Sequence, residues 1–263
     1  HSQFKNIMYR KGAQDAKKAK VFAKLARDIT IAAKSGLPEP DKNPRLRLAI
    51  QAARAESMPK DNIERAIAKA TQTAGGDDYV SMRYEGFGPG KVAIIVEALT
   101  DNRNRTAADV RSAFSHAGGN LGITGSVAFQ FERKGQVVVS KQIVDPNDKK
   151  ENLMANGAAG DEEEFMMVIA EAGGDDYEDA GDEWVVWTAA GDLMAVSKGI
   201  EAQGIEVKGA ELTMVPTTPT AVSGADAKKV QRLIDRLEDL DDVQDVYSTM
   251  DMTDEVIAAL EEE

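Results

Sequence analysis

Lys17, Lys20, Lys24, Arg27 and Lys34 recur at intervals that, at about 100° per residue, gather them on one side of a helix. Asp28 is the only acid between Lys17 and Lys34. A row of cations of one sign is the chemistry that neutralises a nucleic-acid backbone. A face built only for solubility more often mixes signs. A solvated helix face is the competing reading, and the spacing alone leaves both open. Lys5, Arg10, Lys11 and Lys18 add to the same stretch, and Arg45, Arg47 and Arg54 follow it. Farther along, Asp101-Asn102-Arg103-Asn104-Arg105-Thr106 sets two arginines and two amides before a helix start, where free backbone amides favour anions. Arg103 and Arg105 read either as a second phosphate or RNA contact or as partners of nearby acids such as Glu85 or Glu97.

Other chemistries fail on residue type or spacing. The chain has no cysteine, which excludes disulfides, thiolate metal sites and a cysteine nucleophile. His1 and His116 are its only imidazoles, too few for a histidine-rich metal site. Glu85-Gly86-Phe87-Gly88-Pro89-Gly90-Lys91 resembles a phosphate loop only superficially. Glu85 stands where the first glycine belongs, and Val92 follows the lysine where serine or threonine is needed. A glycine-rich turn feeding a strand is the better account. The acids Asp161 to Glu164, then Asp175, Asp176, Glu178, Asp179, Asp182 and Glu183, lack the alternating ligands and central glycine of a calcium loop. No nucleophile, base and oxyanion site assemble around His116. The expectation is a protein that is not an enzyme, with no cofactor, no metal and no small-molecule substrate.

Charge then points to the partner. The 263 residues carry a formal net charge of −13, yet residues 1–72 hold 16 Lys/Arg against 7 Asp/Glu, a net of +9, leaving −22 for the rest. A basic module on an acidic body is the pattern of a polyanion binder whose contact is oriented through one end. The aliphatic run near Val92 to Val96 is far short of a membrane span, and no signal segment opens the chain. A soluble, intracellular protein with no membrane partner is expected.

The elements that must position these groups are legible from period and punctuation. Phe22, Leu25, Ala26, Ile29 and Ala33 form the apolar stripe of a helix over about 15–33. Asn43-Pro44 starts a second helix, with Leu46, Ala49, Ile50 and Ala53 facing inward. Met58-Pro59 starts a third, with Ile63, Ala66, Ile67 and Ala70 as its stripe, and 75–78 is its exit linker. Strands then alternate with helices. Val92 to Leu99 is a strand, and Thr106 to Ala117 is a helix with a Thr106–Asp109 capping-box pattern. Ser126 to Glu132 and Gln136 to Ser140 are strands, and Leu153 to Ala159 is a helix. Trp184 to Thr188 is a strand whose two tryptophans point to opposite faces, one inward and one outward. Leu193, Val196 and Ile200 mark a helix, and 211–215 a strand. Val230, Leu233, Ile234 and Leu237 mark another helix, and 243–247 a last strand. The fold expected is α+β: an N-terminal three-helix bundle (1–76) and two ferredoxin-like α/β sandwich domains. The first of these takes 77–133 with 209–263, and the acidic second (134–208) is inserted into it.

With these segments in hand, the chain resembles the YebC/PmpR family nearly end to end. The resemblance rests on His1-Ser2 with Asn6-Ile7, RKGAQDAKKAK at 10–20, NPRLRLAI at 43–50, MPKDNIERAI at 58–67 and RYEGFGPG at 83–90. It continues through EALTDNRNRTAADVR at 97–111, GGNLG at 118–122, GSVAFQFERKG at 125–135, ELTMVP at 211–216 and LEDLDDVQDVY at 237–247. It is weakest over 141–183. Lys91 stands where the family pattern has another glycine, and Phe4 where tryptophan is common. The resemblance implies a helical bundle plus two α/β domains, the middle one interrupted. It implies cytoplasmic bacterial proteins described as transcriptional regulators, or the mitochondrial matrix in a eukaryote. Mitochondrial relatives activate translation of cytochrome c oxidase subunit I, and bacterial members are linked to ribosomes stalled on proline-rich stretches. The function expected is therefore DNA-binding regulation of transcription. The alternative is a ribosome-associated translation factor that binds ribosomal RNA and relieves stalling on proline-rich sequences.

Overall fold

Residues 18–71 and 78–262 are described by the structure, a computed structural model. Asn43 joins the first two helices. Its side chain caps Pro44–Ala55 (α2) by accepting from Leu46 N at 3.1 Å, and its amide donates to Ala32 O at 2.8 Å and Leu37 O at 2.9 Å. One buried amide thus ties the end of Lys18–Lys34 (α1) to the start of α2. Lys60–Thr71 (α3) is tied to α1 by the Thr30 hydroxyl, which donates to Ala66 O at 2.7 Å. Ile29, Ala32, Leu46, Ile50, Ala53 and Ile63 are among the residues these helices bury. The exit linker expected at 75–78 lies outside the described residues up to 77.

Two compact units emerge from the chain's contacts. One comprises 18–24, 78–132 and 214–262 among the described residues; the other comprises 25–71 and 133–213. The first holds an antiparallel sheet in the order β10-β2-β1-β3, formed by Val80–Phe87 (β1), Ala93–Thr100 (β2), Asn120–Leu121 (β3) and Val243–Ser248 (β10). Arg103–His116 (α4) and Gly224–Glu238 (α7) pack Val110, Phe114, Val230, Leu233 and Leu237 against Val92, Ile94 and Val96 on one face. The other face buries Ala93 and Ile95 against Val127 and Phe131. Asp254–Glu261 (α8) lies on α7.

The second sheet has the order β7-β8-β4-β9, from Phe131–Ser140 (β4), Asp176–Asp179 (β7), Glu183–Ala189 (β8) and Gly209–Pro216 (β9). With Glu162–Ala172 (α5) and Leu193–Glu201 (α6) between strands, this is the β-α-β-β-α-β order of a ferredoxin-like sheet. Its strands all fall, in sequence, between β3 and β10. The first sheet reaches the same spatial pattern from a different chain order, because β1 enters ahead of β2.

Several local readings are corrected. The expected helix at Leu153–Ala159 is instead a short strand, Leu153–Ala155 (β6), paired with Gln142–Val144 (β5), then a 3-10 turn. Helix α5 takes over from Asp161, whose side chain caps it at Glu164 N, so the acids 162–164 are its first turn at the positive end of the dipole. Helix α4 starts at Arg103, capped by Asn102, three residues before the apparent Thr106 box. Ser126–Gln130 is not strand: a 3-10 turn occupies Ala128–Gln130 before β4 begins. Trp184 and Trp187 are both buried, at 3 % and 5 % exposure, because β8 is covered on both faces.

The loop ahead of β4 is held by Glu85. That carboxylate is 2 % exposed and accepts from the backbone amides of Gly125, Val127 and Ala128 at 2.6, 3.2 and 2.6 Å. Burial pushes its pKa up, but the three amide dipoles outweigh that and hold it below the usual carboxylate range. Gly122 N also donates to Glu85 O at 2.8 Å.

Candidate nucleic-acid interface

The cations singled out by spacing fall into distinct sets once the chain is folded. Lys5, Arg10, Lys11 and Lys17 lie outside the described residues, as does the side chain of Lys18. Lys20 and Lys24 do not form an open phosphate-facing row. The Lys20 ammonium donates to Asp239 O at 2.8 Å and lies 3.8 Å from Asp239 Oδ1, and Lys24 donates to Glu238 O. The reason is the end of α7: its last carbonyls lack helical partners and carry the negative end of the dipole, so they draw in ammonium groups. Burial lowers the pKa of Lys24, and the carboxylates of Glu238, Asp245 and Asp239 only partly restore it. Arg27 is half-buried and engaged.

Arg47 and Arg105 are likewise committed internally. Arg47 Nη2 sits 3.4 Å from Glu201 Oε2, and Gln51 donates to the other oxygen of the same carboxylate at 3.0 Å, fixing α2 to the end of α6. Arg105 grips Asp242 through Nε at 3.1 Å and Nη2 at 2.9 Å and reaches Asp101 at 2.7 Å. Asp242 is 5 % exposed and also accepts from the Thr106 hydroxyl at 2.7 Å. These acids raise the pKa of Arg105, locking its charge. Arg105 is thus an ion-pair partner within its own unit, but not of the acids anticipated. Glu97 takes Arg83 at 2.6 Å, and Glu85 takes backbone amides.

Exposed and outside these pairings are Lys34 at the end of α1, Arg45 in the first turn and Arg54 in the last turn of α2, and Arg103 at the start of α4. None of these four is paired with a carboxylate among the described residues. Lys34 and Arg45 each stand two residues from one side of the Ala32–Asn43 hydrogen bond, so that buried amide also anchors the backbone that carries them. Spacing did not single out Asp242, whose partners are far away in sequence, or the apolar residues Ile123 and Phe129, 82 % and 75 % exposed. The signal for the latter pair was the absence of any charged side chain from 117 to 131.

No group of three or more His, Cys, Asp or Glu is placed to hold a metal ion among the described residues. No described helix is long and apolar enough to cross a membrane.

Residues 2–73 match the family described as the TACO1/YebC protein N-terminal domain, and residues 79–250 match the TACO1/YebC second and third domain. The chain belongs to the TACO1/YebC family. The crystal structure of a conserved hypothetical protein, Aq1575 from Aquifex aeolicus, is similar to this TACO1/YebC chain at a TM-score of 0.77 and 37 % identity. The likeness covers 92 % of this chain and 94 % of that one. TACO1/YebC membership supports regulation of gene expression, or activation of translation, as a function at the level of the family.

Proposed function

We propose that this chain regulates gene expression without catalysis, as a ribosome-associated factor that grips structured RNA through phosphate contacts from its basic helical N-terminal region. The observation that carries this reading is charge segregation. A segment of net +9 stands in a chain of net −13, and Lys34, Arg45 and Arg54 within it are exposed and unpaired among the described residues.

The cations are arranged for backbone contact more than for base reading. Arg45 and Arg54, nine residues apart, leave α2 on opposite sides at about 100° per residue. Such side chains suit phosphates that wrap a module, the mode by which structured RNA is bound through shape and charge. Reading duplex DNA by sequence would need several side chains of one helix reaching base edges in a groove, because phosphate contacts only position. Relief of ribosomes stalled on proline-rich stretches, implied by the family resemblance, is the translational activity this reading anticipates.

The test is crosslinking in cells, followed by sequencing of the attached nucleic acid and sedimentation of the protein with ribosomes. Predominantly ribosomal RNA with co-sedimentation is the expected result. Enrichment of defined duplex DNA sites without ribosome association would replace this reading with transcriptional regulation.

A further inference from the structure

One end of the first unit's sheet is unlike the rest of this acidic chain. Three segments meet there: the turn 88–91 between β1 and β2, the loop 117–130 and the segment 214–222. Contacts within the unit bring them together. Gly119 lies so close to Phe87 O that a Cβ there has no room, and its Cβ position is 3.2 Å from Gly88 Cα. Thr217 N donates to Gln130 O at 2.9 Å, and the Cβ position of Gly90 is 3.1 Å from Val222 Cγ1.

These three segments contain a single ionisable side chain, Lys91, in a protein with 45 Asp and Glu. Lys91 is exposed and paired with no carboxylate among the described residues. The nearest acid to Gly90 is Asp226, in the first turn of α7. From this rim, whose segments carry no acid of their own, Ile123 and Phe129 project at 82 % and 75 % exposure. Large apolar side chains left in water cost burial free energy and commonly mark a contact surface. The backbone that carries them is held from below. Glu85 fastens the loop through three amides, and Val127 and Phe131 on either side of Phe129 are in the core. An aromatic ring carried on a fastened backbone loses less freedom when something stacks on it than one on a loose loop.

We infer that this rim binds an unpaired nucleotide of RNA, with the ring of Phe129 stacking on the base, Ile123 packing beside it and Lys91 facing the phosphate. The inference rests on the RNA-binding reading above and adds a second, chemically different contact to it. The three segments carry no carboxylate of their own, and the Glu85 carboxylate beneath them is buried under three amides. That leaves Asp226 as the acid beside the turn and lets a polyanion approach here more easily than over most of the acidic body. An exposed aromatic ring accepts any base, because every base has a π-face. Together they select single-stranded or looped-out nucleotides, whereas the N-terminal cations serve paired and unpaired backbone alike.

The test uses the full chain and two RNA probes: a stem with an adenosine-rich loop, and the same stem closed as a blunt duplex. The parent is expected to prefer the looped probe. Phe129→Ala should remove about ten-fold or more of the affinity for that probe while leaving the duplex affinity unchanged. Phe129→Trp should retain the preference, which separates stacking from a folding defect. Ultraviolet crosslinking followed by mass spectrometry should place a nucleotide adduct within 117–131 in the parent. Equal binding of the looped probe by Phe129→Ala and parent would overturn the stacking site and leave the N-terminal reading standing. Binding of neither RNA by the parent would overturn both. Loss of a protein partner from Phe129→Ala, with both RNA affinities intact, would reassign the rim to protein contact.

Discussion

Arg105 holds Asp242 through two nitrogens, at 3.1 and 2.9 Å, and so fastens the first turn of α4 to the connection between α7 and β10. One of the two arginines that the DNRNRT run offers for phosphate contact is thereby a structural clamp, and the other, Arg103, is paired with no carboxylate among the described residues. Arg105→Ala is expected to lower the melting temperature and leave nucleic-acid affinity nearly unchanged. Arg103→Ala should do the reverse. Asp242→Ala removes the buried acceptor for Arg105 and Thr106 and should cost about 2 kcal/mol in denaturant titrations.

Charge reversal of Lys34, Arg45 and Arg54 to Glu tests the exposed cations together. Each lost phosphate contact lowers the slope of log affinity against log salt by about 0.7 to 0.9. The triple variant should therefore bind RNA with a slope shallower by about 2 and keep the helical circular dichroism of the parent. An unchanged slope would remove these three residues from the interface.

Asn43→Ala breaks a cap and two cross-links at once, so it should destabilise the helical segment by about 2 to 3 kcal/mol. Urea titration followed by circular dichroism measures it. Asn43→Asp keeps the acceptor that caps Leu46 but loses both donors, and is expected to fall between the two.

Glu85 makes the 122–130 loop sensitive to acid. A carboxyl held below its ordinary pKa contributes stability that is complete above the unfolded value, near 4.3, and is lost as pH falls through the folded one. Hydrogen-exchange protection at Gly125, Val127 and Ala128 should be flat from about pH 5 upward and decline below about pH 4, after correction for intrinsic rates. In Glu85→Gln the protection should be weak throughout and the pH dependence absent.

Which of these features could be read from sequence depends on how far away the partner lies. Asn43-Pro44 was legible because a cap and an N1 proline are local chemistry, and the stripe Val230, Leu233, Ile234, Leu237 was legible because periodicity is local too. Thr106 misled for the opposite reason. It has the local pattern of a cap, but its hydroxyl is used by Asp242, 136 residues away, and Asn102 caps the helix instead. Lys20 and Lys24 show the same limit: their spacing makes a basic stripe, yet only the folded chain brings the carbonyls of Glu238 and Asp239 to them. Ser126 to Glu132 alternates like a strand, but the buried positions Val127 and Phe131 are spaced by a 3-10 turn instead of a pleat.

Lys91 turns the β1–β2 connection with φ at +63°, directly after Gly90 at +71°. A side chain in that left-handed conformation costs about 1 to 2 kcal/mol, and the glycine of the family pattern would sit there without strain. This chain therefore trades backbone ease for a positive charge at the one place on the rim where it has any. Lys91→Gly should make the protein harder to melt and worse at holding RNA, so that stability and affinity move in opposite directions in a single substitution.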